Sequence, residues 1–429
     1  QLGLADLGCA LLDDPRVTAL GLHIEGVGGL RAFEALAAAA RTAGKPIVAL
    51  KSGRSDQARA ATQSHTASLA GSGAGAAALL ARLGIAQVTS LPQMLETLKL
   101  LHFAGPLPGN AVASISCSGG EASLMADTAL DHAITLPPLT PSQASALRAA
   151  LGPRVALANP LDYHTFIWGD VPAMTATFAA ALEGPADIGV MIADFPRPDR
   201  CDPAAWDCIF EAGAEARHRV GKPLALIATL PDCLSEAMAE RAIASGLIPL
   251  LGLDDGLTAI AHAAWLGQAR ATPAPLLLPG PPTQPHTLTE AEAKVALAAH
   301  GLRIPQARRA TSAAELSEIL TAMPLPLVIK AEGLAHKTEA GGVLFLREVG
   351  EIPEALAKAI AMPCKSWLIE EMIAAPVAEL LIGVLRDPAH GFVLTLGAGG
   401  ILTEILRDTV SLLLPVTEPE IDAALDRLR

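Results

Sequence analysis

Residues 46–55 read Pro46-Ile47-Val48-Ala49-Leu50-Lys51-Ser52-Gly53-Arg54-Ser55, an apolar run that ends in a basic turn containing glycine. An uninterrupted aliphatic run is typical of a strand in a parallel sheet that helices cover on both faces. The turn brings cations and glycine backbone to the end of that strand, where they would attract an anion. The stretch therefore predicts an α/β fold with an anion site at a strand end.

The neighbouring segments repeat this alternation of strands and helices. Residues 19–24 form a second strand-like run, and the alanine-rich residues 31–43 have the pattern of a helix. Together with residues 46–50 they make a βαβ unit. We assign residues 1–105 to a first doubly wound domain.

A second set of strand-like runs follows, each with a helical pattern after it. These runs lie at residues 111–116, 188–192, 223–227 and 248–250. They predict a second doubly wound domain over residues 106–272. Residues 273–287 are dense in proline, which sustains neither a helix nor a central strand, so we assign them as a linker.

Residues 288–429 make up a third predicted domain. Thr287 or Thr289 would cap an amphipathic helix that opens with Glu290. A strand is predicted at residues 325–330, ending in Lys330, and a glycine-rich turn at residues 397–400. The expected fold class is α/β.

Composition narrows the function classes. Hydrophobic residues make up 51% of the chain but aromatic residues only 3%, which favours aliphatic helices packed on parallel strands. A net charge of −13 would repel a nucleic-acid backbone, and apolar runs are too short to span a membrane, so neither is an expected partner. The six cysteines have no C-x-x-C spacing, which predicts a reducing, cytoplasmic location without disulfides or structural zinc. Because the chain begins with Gln1, we expect it to be an internal piece of a longer protein.

Two loops are candidates for phosphate chemistry. His65 is a single imidazole among small residues and hydroxyls, including Ser64 and Thr66, as a phosphate-carrying histidine would be. Ser118-Gly119-Gly120 lies where a strand meets a helix, so that backbone N–H groups would hold a phosphate oxygen. The alternatives are a loop histidine that only donates a hydrogen bond and an ordinary tight turn.

These features together resemble the ADP-forming acyl-CoA synthetases, relatives of succinyl-CoA synthetase. That family carries a K-x-G-R-S segment followed by A-A-x-S-H-T-G-x-L-A-G. Residues 51–55 and 60–71 follow it, with one additional residue before Ser64 and with Ala67 in place of glycine. The resemblance implies that His65 is phosphorylated during turnover and that Glu25 orients the imidazole and stabilises its charge. It also implies that Ser64, Thr66 and the Ser118–Gly120 turn contact phosphate. The implied fold is two flavodoxin-like, succinyl-CoA ligase-like domains followed by a partial ATP-grasp domain.

The third domain resembles the ATP-grasp half of these enzymes. Val328-Ile329-Lys330 and residues 334–343 carry the resemblance. It implies nucleotide binding by a set of six residues: Lys330, Lys337, Gly341, Gly342, Glu370 and Glu371. His336 is either a second phosphoryl relay or a contact to ligand phosphate. Glu370 and Glu371 either read the adenine and ribose edge or form an exposed acidic strand end.

The activity that the resemblance implies joins a carboxylic acid to CoA while ATP becomes ADP and phosphate. Acyl phosphate and phosphohistidine would be intermediates. The ligands are then ATP or ADP, Mg²⁺, phosphate, the acid and CoA, and the protein is expected to form a homo-oligomer. The CoA-binding domain and the main Mg²⁺ ligands of the family are expected outside residues 1–429. The alternatives are a catalytically silent regulatory homologue and a lyase that eliminates a group from the activated acid.

Overall fold

The protein is described by a computed structural model that covers residues 2–53, 72–281, 284–333, 341–373, 376–400, 403–406 and 408–428. Backbone contacts divide the chain into two compact units. The first unit contains residues 1–279, 382–397 and 408–429. The second contains residues 280–381 and 398–407.

Helices and strands alternate over the described residues between Leu4 and Gly267, as the sequence predicts, apart from the consecutive helices Gly119–Leu130 and Pro141–Leu151. The α-helices are α1 Leu4–Leu12, α2 Leu30–Thr42, α3 Gly73–Leu83, α4 Leu91–Ala104, α5 Gly119–Leu130, α6 Pro141–Leu151, α7 Val171–Leu182, α8 Asp207–Val220, α9 Glu236–Ala244, α10 Leu253–Gly267, α11 Glu290–Ala299, α12 Ala313–Ala322, α13 Ile352–Ile360, α14 Thr403–Leu406 and α15 Glu418–Leu425. The strands are β1 Leu20–Ile24, β2 Ile47–Lys51, β3 Ala86–Val88, β4 Val112–Ser116, β5 Leu161–Asp162, β6 Ile188–Ile192, β7 Leu224–Ala228, β8 Ile248–Leu251, β9 Ala307–Ala310, β10 Leu327–Ala331, β11 Val343–Leu346, β12 Trp367–Glu371, β13 Leu380–Asp387, β14 Gly391–Ala398 and β15 Thr409–Leu413.

The first sheet is parallel and has the strand order β1-β2-β3. Its middle strand is the apolar run of residues 46–50, and Val48 and Ala49 are fully buried. Burial on both faces explains why this strand shows no alternation of polar and apolar residues. The predicted strand 19–24 and helix 31–43 appear as β1 and α2, within one residue at each end.

The second sheet is also parallel, with the order β5-β4-β6-β7-β8. Counted along the domain this is the flavodoxin order 2-1-3-4-5, in which the chain reverses direction across the sheet between β4 and β6. Ligands of such sheets bind beyond the carboxyl ends of the strands at this reversal. The order therefore places the loop after β4, which contains Ser118, at the expected ligand edge.

The second unit contains an antiparallel sheet with the order β11-β10-β12-β9. Thr289 caps α11: its hydroxyl accepts a hydrogen bond from the Glu292 N–H, and Glu292 reaches back to the Thr289 N–H. The structure thus selects Thr289 rather than Thr287 as the cap. A capping box fixes where the helix begins, and so places Glu290 in its first turn.

Two segments from the carboxyl-terminal part of the sequence belong to the first unit. Val393 and Leu413 are 2% exposed and join the same apolar cluster as Leu22 and Leu79. Arg82 on α3 donates a hydrogen bond to the Leu413 carbonyl over 3.0 Å. These contacts bring residues 382–397 and 408–428 to the domain that precedes the linker.

Gly267 permits a close approach of two chain segments within the first unit. A Cβ atom at Gly267 would lie 1.8 Å from the Leu107 carbonyl oxygen, and the Leu107 N–H donates to the Ala263 carbonyl over 3.0 Å. We expect Gly267→Ala to lower the free energy of unfolding by about 2–4 kcal/mol, because backbone must move to admit the methyl group.

Urea unfolding of this variant can be compared with that of Gly73→Ala. A Cβ atom at Gly73 meets nothing within 4 Å, so alanine there is expected to be neutral or stabilising in the helix. Equal unfolding midpoints for the two variants would contradict the proposed steric cause.

Among the described residues, no helix combines the length and the apolar character needed to cross a membrane.

Candidate functional site

The structure describes most of the predicted site residues: Glu25, Ser118, Gly119, Gly120, Lys330, Gly341, Gly342, Glu370 and Glu371. The predictions for Ser64, His65, Thr66, His336 and Lys337 fall outside the described residues. The two ends of the segment that carries His65 are described, at Gly53 and at Ser72.

Glu25 and Lys51 lie side by side at the carboxyl ends of β1 and β2. Ile24 pairs with Lys51 in the sheet, and the Lys51 ammonium donates to the backbone carbonyls of Glu25, over 2.8 Å, and Ser52, over 2.5 Å. Lys51 is only 5% exposed. Burial lowers its pKa, and the charge of Glu25 partly offsets that effect. The Lys51 cation is thus held at Ser52, close to the residue where the segment 54–71, which contains His65, begins.

The other end of that segment begins a helix beside the same cavity. Ser72 caps α3, because its hydroxyl accepts a hydrogen bond from the Gly75 N–H over 3.0 Å. A cavity of about 340 Å³ is lined by Lys51, Ser52, Gly53, Ser72, Gly73, Ala76, Ala77, Gln87 and Thr89. Both ends of the segment therefore face one cavity at the carboxyl edge of the first sheet.

The Ser118-Gly119-Gly120 turn opens α5 at the carboxyl end of β4. Ser118 is the N-cap residue, with extended backbone, and its side chain makes no capping hydrogen bond. The first N–H groups of a helix have no partner within that helix, and the helix dipole favours an anion beside them. The turn therefore places the start of a helix at the reversal point of the second sheet, and phosphate binding there stays a prediction.

Glu121, in the first turn of α5, has a carboxyl group in an unusual environment. Its Oε2 atom is buried and has no hydrogen-bond partner among the described residues. Burial, followed by the charges of Asp194 and Asp162, raises the pKa of Glu121 to about 7. Near neutral pH this carboxyl group exchanges a proton readily, and in its neutral form it would not repel a phosphate at the turn.

We expect Glu121→Gln to stabilise the protein at about pH 8 and to lose this effect below the usual glutamate pKa of 4.5. The folded protein keeps the Glu121 proton to about pH 7, whereas the unfolded chain releases it near 4.5. Stability therefore falls as the pH rises between these values, and glutamine avoids that loss. The gain should be about 1–2 kcal/mol, because solvent screens part of the interaction.

Urea unfolding at the two pH values measures this difference. Glu236→Gln is the matched control, since Glu236 lies in the first turn of another helix, α9, and is exposed. A gain that is equal at both pH values, or equal in the control, would contradict the assigned role of Glu121.

Residues 159–162 read Asn-Pro-Leu-Asp, a sequence that is compatible with a turn near the active centre or with a structural Asx cap. Asn159 and Asp162 make structural hydrogen bonds. Asn159 accepts from the Ser114 N–H over 2.9 Å and donates to the carbonyls of Val112 and Pro137 over 2.8 and 3.0 Å. Asp162 accepts from the His164 N–H over 2.8 Å. These bonds tie the turn to β4 and favour the structural interpretation.

In the second unit, Lys330 belongs to a network of two lysines and two glutamates. Its ammonium lies 2.6 Å from Glu290 Oε1 and 2.8 Å from Glu370 Oε2. Lys294 lies 2.9 Å from Glu290 Oε1 and 2.5 Å from Glu370 Oε1. Burial acts to lower the pKa of Lys330, but the hydrogen bonds and charges of Glu290 and Glu370 outweigh it and raise the pKa. Lys330 is therefore a fixed cation at the predicted nucleotide site.

Glu370 and Glu371 differ in their surroundings although they are adjacent on β12. Glu370 is 2% exposed, so the alternative of an exposed acidic strand end is wrong for this residue. Glu371 accepts a hydrogen bond from the Gln306 N–H over 3.1 Å.

The predicted glycine pair is described at Gly341 and Gly342. Gly341 has a φ of +67°, which favours glycine, and the Gly342 carbonyl accepts a hydrogen bond from the Ala331 N–H over 2.8 Å.

The described residues contain no group of three or more histidine, cysteine, aspartate or glutamate side chains placed to hold a metal ion. No metal ligand is therefore assigned within them.

Comparison with known proteins identifies two regions of the chain. Residues 1–101 match the succinyl-CoA ligase like flavodoxin domain family, and residues 282–429 match the ATP-grasp domain family. A trans-feruloyl-CoA synthase from an unknown prokaryotic organism is 28% identical over 443 residues, which cover 98% of this chain and 61% of that protein. The chain is similar to the ADP-forming acyl-CoA ligases. The predicted family resemblance and fold class are thereby confirmed.

Further matches agree with this relationship. The ADP-forming acetate–CoA ligase of Methanocaldococcus jannaschii is 25% identical over 444 residues, covering 96% of this chain and 62% of that protein. An acetyl-coenzyme A synthetase 1 of Ca. Korarchaeum cryptofilum, solved with phosphate and ADP, has a similar fold. Its TM-score is 0.51 at 22% identity, over 62% of this chain and 56% of that one. This chain thus spans about 61% of the length of the trans-feruloyl-CoA synthase.

The predictions from sequence did not include three charged residues of the protein: Lys294, Glu121 and Asp387. Lys294 follows Glu290 by four residues on α11, a spacing that predicts a helical ion pair but not the second contact to Glu370. Glu121 directly follows the Ser-Gly-Gly turn, and its position was the only sequence signal. Asp387 accepts a hydrogen bond from the Ser72 N–H, 315 residues away in the sequence, and no local pattern indicates that contact.

Proposed function

We propose that this chain carries the phosphoryl-transfer part of an acid–thiol ligase that forms ADP. The overall reaction converts a carboxylic acid, CoA and ATP into acyl-CoA, ADP and phosphate. The observation that carries the proposal is the sequence match along nearly the whole chain to CoA ligases, the trans-feruloyl-CoA synthase and the ADP-forming acetate–CoA ligase. The anion-binding features at the carboxyl edges of both parallel sheets support it.

The proposed chemistry proceeds in three balanced steps. An imidazole nitrogen of His65 attacks the γ-phosphorus of ATP, and ADP leaves. A carboxylate oxygen of the acid attacks the phosphohistidine phosphorus, which forms an acyl phosphate and releases the imidazole. The CoA sulfur attacks the acyl carbon, phosphate leaves, and the thiol proton ends on phosphate. Division into these steps replaces one difficult condensation by three transfers, each of which expels a good leaving group: ADP, imidazole or phosphate.

Each residue has a role in this proposal. Glu25 would orient His65 and stabilise its positive charge. The N–H groups of the Ser118–Gly120 turn would stabilise the charge of the transferred phosphate. Lys330, Lys337 and the Gly341–Gly342 turn would hold the ATP phosphates, with Glu370 and Glu371 near the nucleoside, and His336 would relay or contact phosphate. Mg²⁺ would enter with ATP and neutralise phosphate charge.

The test is product analysis with the purified full-length protein. The protein is incubated with ATP, Mg²⁺, CoA and one acid at a time, with acetate and ferulate as the first acids, since relatives are named for their CoA thioesters. We expect acyl-CoA, ADP and phosphate in equal amounts with at least one acid. Formation of AMP, or the absence of any thioester from a protein that binds ATP, would overturn the proposal.

The cellular setting forms part of the same proposal. All six cysteines are free thiols, which supports a reducing, cytoplasmic location. The proposed partners are the acid, CoA, phosphate and a second copy of the protein. Analytical ultracentrifugation of the full-length protein tests the homo-oligomer, and a monomer at all concentrations would contradict it.

A further inference from the structure

The amino end of the histidine-bearing segment is attached to the first sheet by several hydrogen bonds. The Ser52 N–H and the Ser52 hydroxyl both donate to the Ile24 carbonyl, over 3.0 and 3.1 Å. Lys51 adds its bonds to the Glu25 and Ser52 carbonyls. The chain is thus fixed just before residue 54.

The carboxyl end of the same segment is attached by a residue from far along the sequence. The Ser72 N–H donates to Asp387 Oδ2 over 2.8 Å, across 315 residues. Ser72 is the N-cap residue of α3, so Asp387 holds the backbone at the point where the segment becomes a helix. Both residues belong to the first unit.

Asp387 is bound firmly enough to act as a fixed point. It is 2% exposed, and its Oδ1 accepts from the N–H groups of Ala389 and His390 over 2.8 and 3.1 Å. Burial alone would raise its pKa, but the hydrogen bonds from Ser72 and Ala389 outweigh burial and lower the pKa to about 2. The Asp387 carboxylate therefore remains charged at neutral and mildly acidic pH.

Close packing around Ser72 leaves little room for a different arrangement. A Cβ atom at Gly75 would lie 2.8 Å from Ser72 Oγ, 2.9 Å from His390 Nδ1 and 3.1 Å from Asp387 Oδ2. His390 is 1% exposed, and burial lowers its pKa and favours the neutral ring. Gly75 thus allows the three side chains to meet at the helix start.

We infer that Asp387 is a positioning residue for phosphoryl transfer, because it fixes the carboxyl end of the segment that carries His65 through the Ser72 N–H. This inference rests on the proposed function. A reactive group gains rate when its attachment points are held in place, and small displacements of such groups cost large factors in rate.

The test is single-turnover labelling of His65 from γ-labelled ATP in the full-length protein. In Asp387→Asn, the side-chain carbonyl can still accept from the Ala389 and His390 N–H groups, but the NH₂ group would face the Ser72 N–H. We expect this variant to slow labelling about tenfold, with an unchanged KM for ATP and a folded protein by hydrogen exchange. Glu96→Gln is the control, since Glu96 is another buried carboxylate, 4% exposed, that accepts a backbone N–H, that of Leu251 over 2.9 Å. It should label at the wild-type rate.

A second variant tests whether Asp387 acts through Ser72. The φ of Ser72 is −79°, which proline adopts, and proline has no N–H to donate. Ser72→Pro should also slow labelling, and adding Asp387→Asn to it should slow labelling little further. Ser72→Ala keeps the N–H but loses the cap and the hydrogen bond of the hydroxyl to Asp387, so Asp387→Asn should keep most of its effect in that background.

The outcomes separate this inference from the proposed function. Absence of label in the wild-type protein would overturn the proposed function, and the inference with it. Normal labelling rates in Asp387→Asn, or fully multiplicative effects of Asp387→Asn and Ser72→Pro, would overturn the inference and leave the proposed function intact. A lower melting temperature with an unchanged labelling rate would assign Asp387 a structural role only, which also contradicts the inference.

Discussion

Replacing His65 with asparagine is expected to abolish the acid-labile, base-stable phosphate that the full-length protein takes from γ-labelled ATP. An imidazole nitrogen can accept the phosphoryl group and release it again, whereas an asparagine amide has no nucleophilic nitrogen for either step. Acyl-CoA formation should fall with the label, since the acid would receive phosphate only from His65. The measurement is label retained on the denatured protein after base and after acid.

Two further histidine variants complete this experiment. His218→Asn is the matched control, because His218 lies near the end of α8 and is exposed; it should label normally. His336→Asn separates the two predicted roles of that residue: a relay predicts a lower maximal labelling rate, and a phosphate contact predicts a higher KM for ATP. Persistent acid-labile label in His65→Asn would show that another residue carries the phosphate and would contradict the role of His65. Absence of label on a wild-type protein that binds ATP would contradict the phosphohistidine mechanism and favour the regulatory alternative.

Glu370→Ala is expected to destabilise the antiparallel sheet of the second unit by about 3–5 kcal/mol. The side chain of Glu370 is 3% exposed and lies within 2.8 Å of the ammonium groups of both Lys294 and Lys330. Removing the carboxylate leaves two partly buried cations that share Glu290, and neither is fully solvated. Hydrogen exchange of the peptide that covers Trp367–Glu371 in the intact protein measures this loss locally.

Glu354→Ala is the matched control for this experiment. Glu354 also pairs with a lysine, Lys358, over 2.6 Å, but the two side chains are 73% and 60% exposed. Such a surface pair contributes less than about 1 kcal/mol, so exchange should change little. A similar small effect in Glu370→Ala would show that solvent or other groups compensate the two lysines, and would contradict the role assigned to this network.

Much of the architecture was predictable because it depends on local patterns. The apolar run of residues 46–50 indicates a buried parallel strand from its own composition, and β2 lies there. The capping box at Thr289 and Glu292 marks the start of α11, whereas the linker assigned to residues 273–287 from their proline content stays a prediction. Each of these signals involves residues within a few positions of one another, so no knowledge of distant parts of the chain is needed.

Parts of the site were less predictable because one residue pattern is compatible with several environments. The pair Glu370 and Glu371 is consistent with a ligand contact or with a solvated strand end, and only the burial of Glu370 excludes the second option for it. Asn159 and Asp162 are consistent with a catalytic or a structural turn, and only their hydrogen bonds to β4 and to the turn itself favour the structural one. Solvent exposure and bonding partners decide such cases, and neither is a property of the local sequence.

The sequence by itself indicated the family resemblance and the order of strands and helices, and it predicts a phosphate-carrying role for His65. Only the tertiary structure decided which charged residues meet. Asp387 reaches Ser72 across 315 residues, Glu370 joins Lys294 to Lys330, and Glu121 comes under the influence of Asp162 and Asp194. The physical reason is that a helix or strand is set by neighbours along the chain, whereas the energy of a buried charge is set by the groups that folding brings around it.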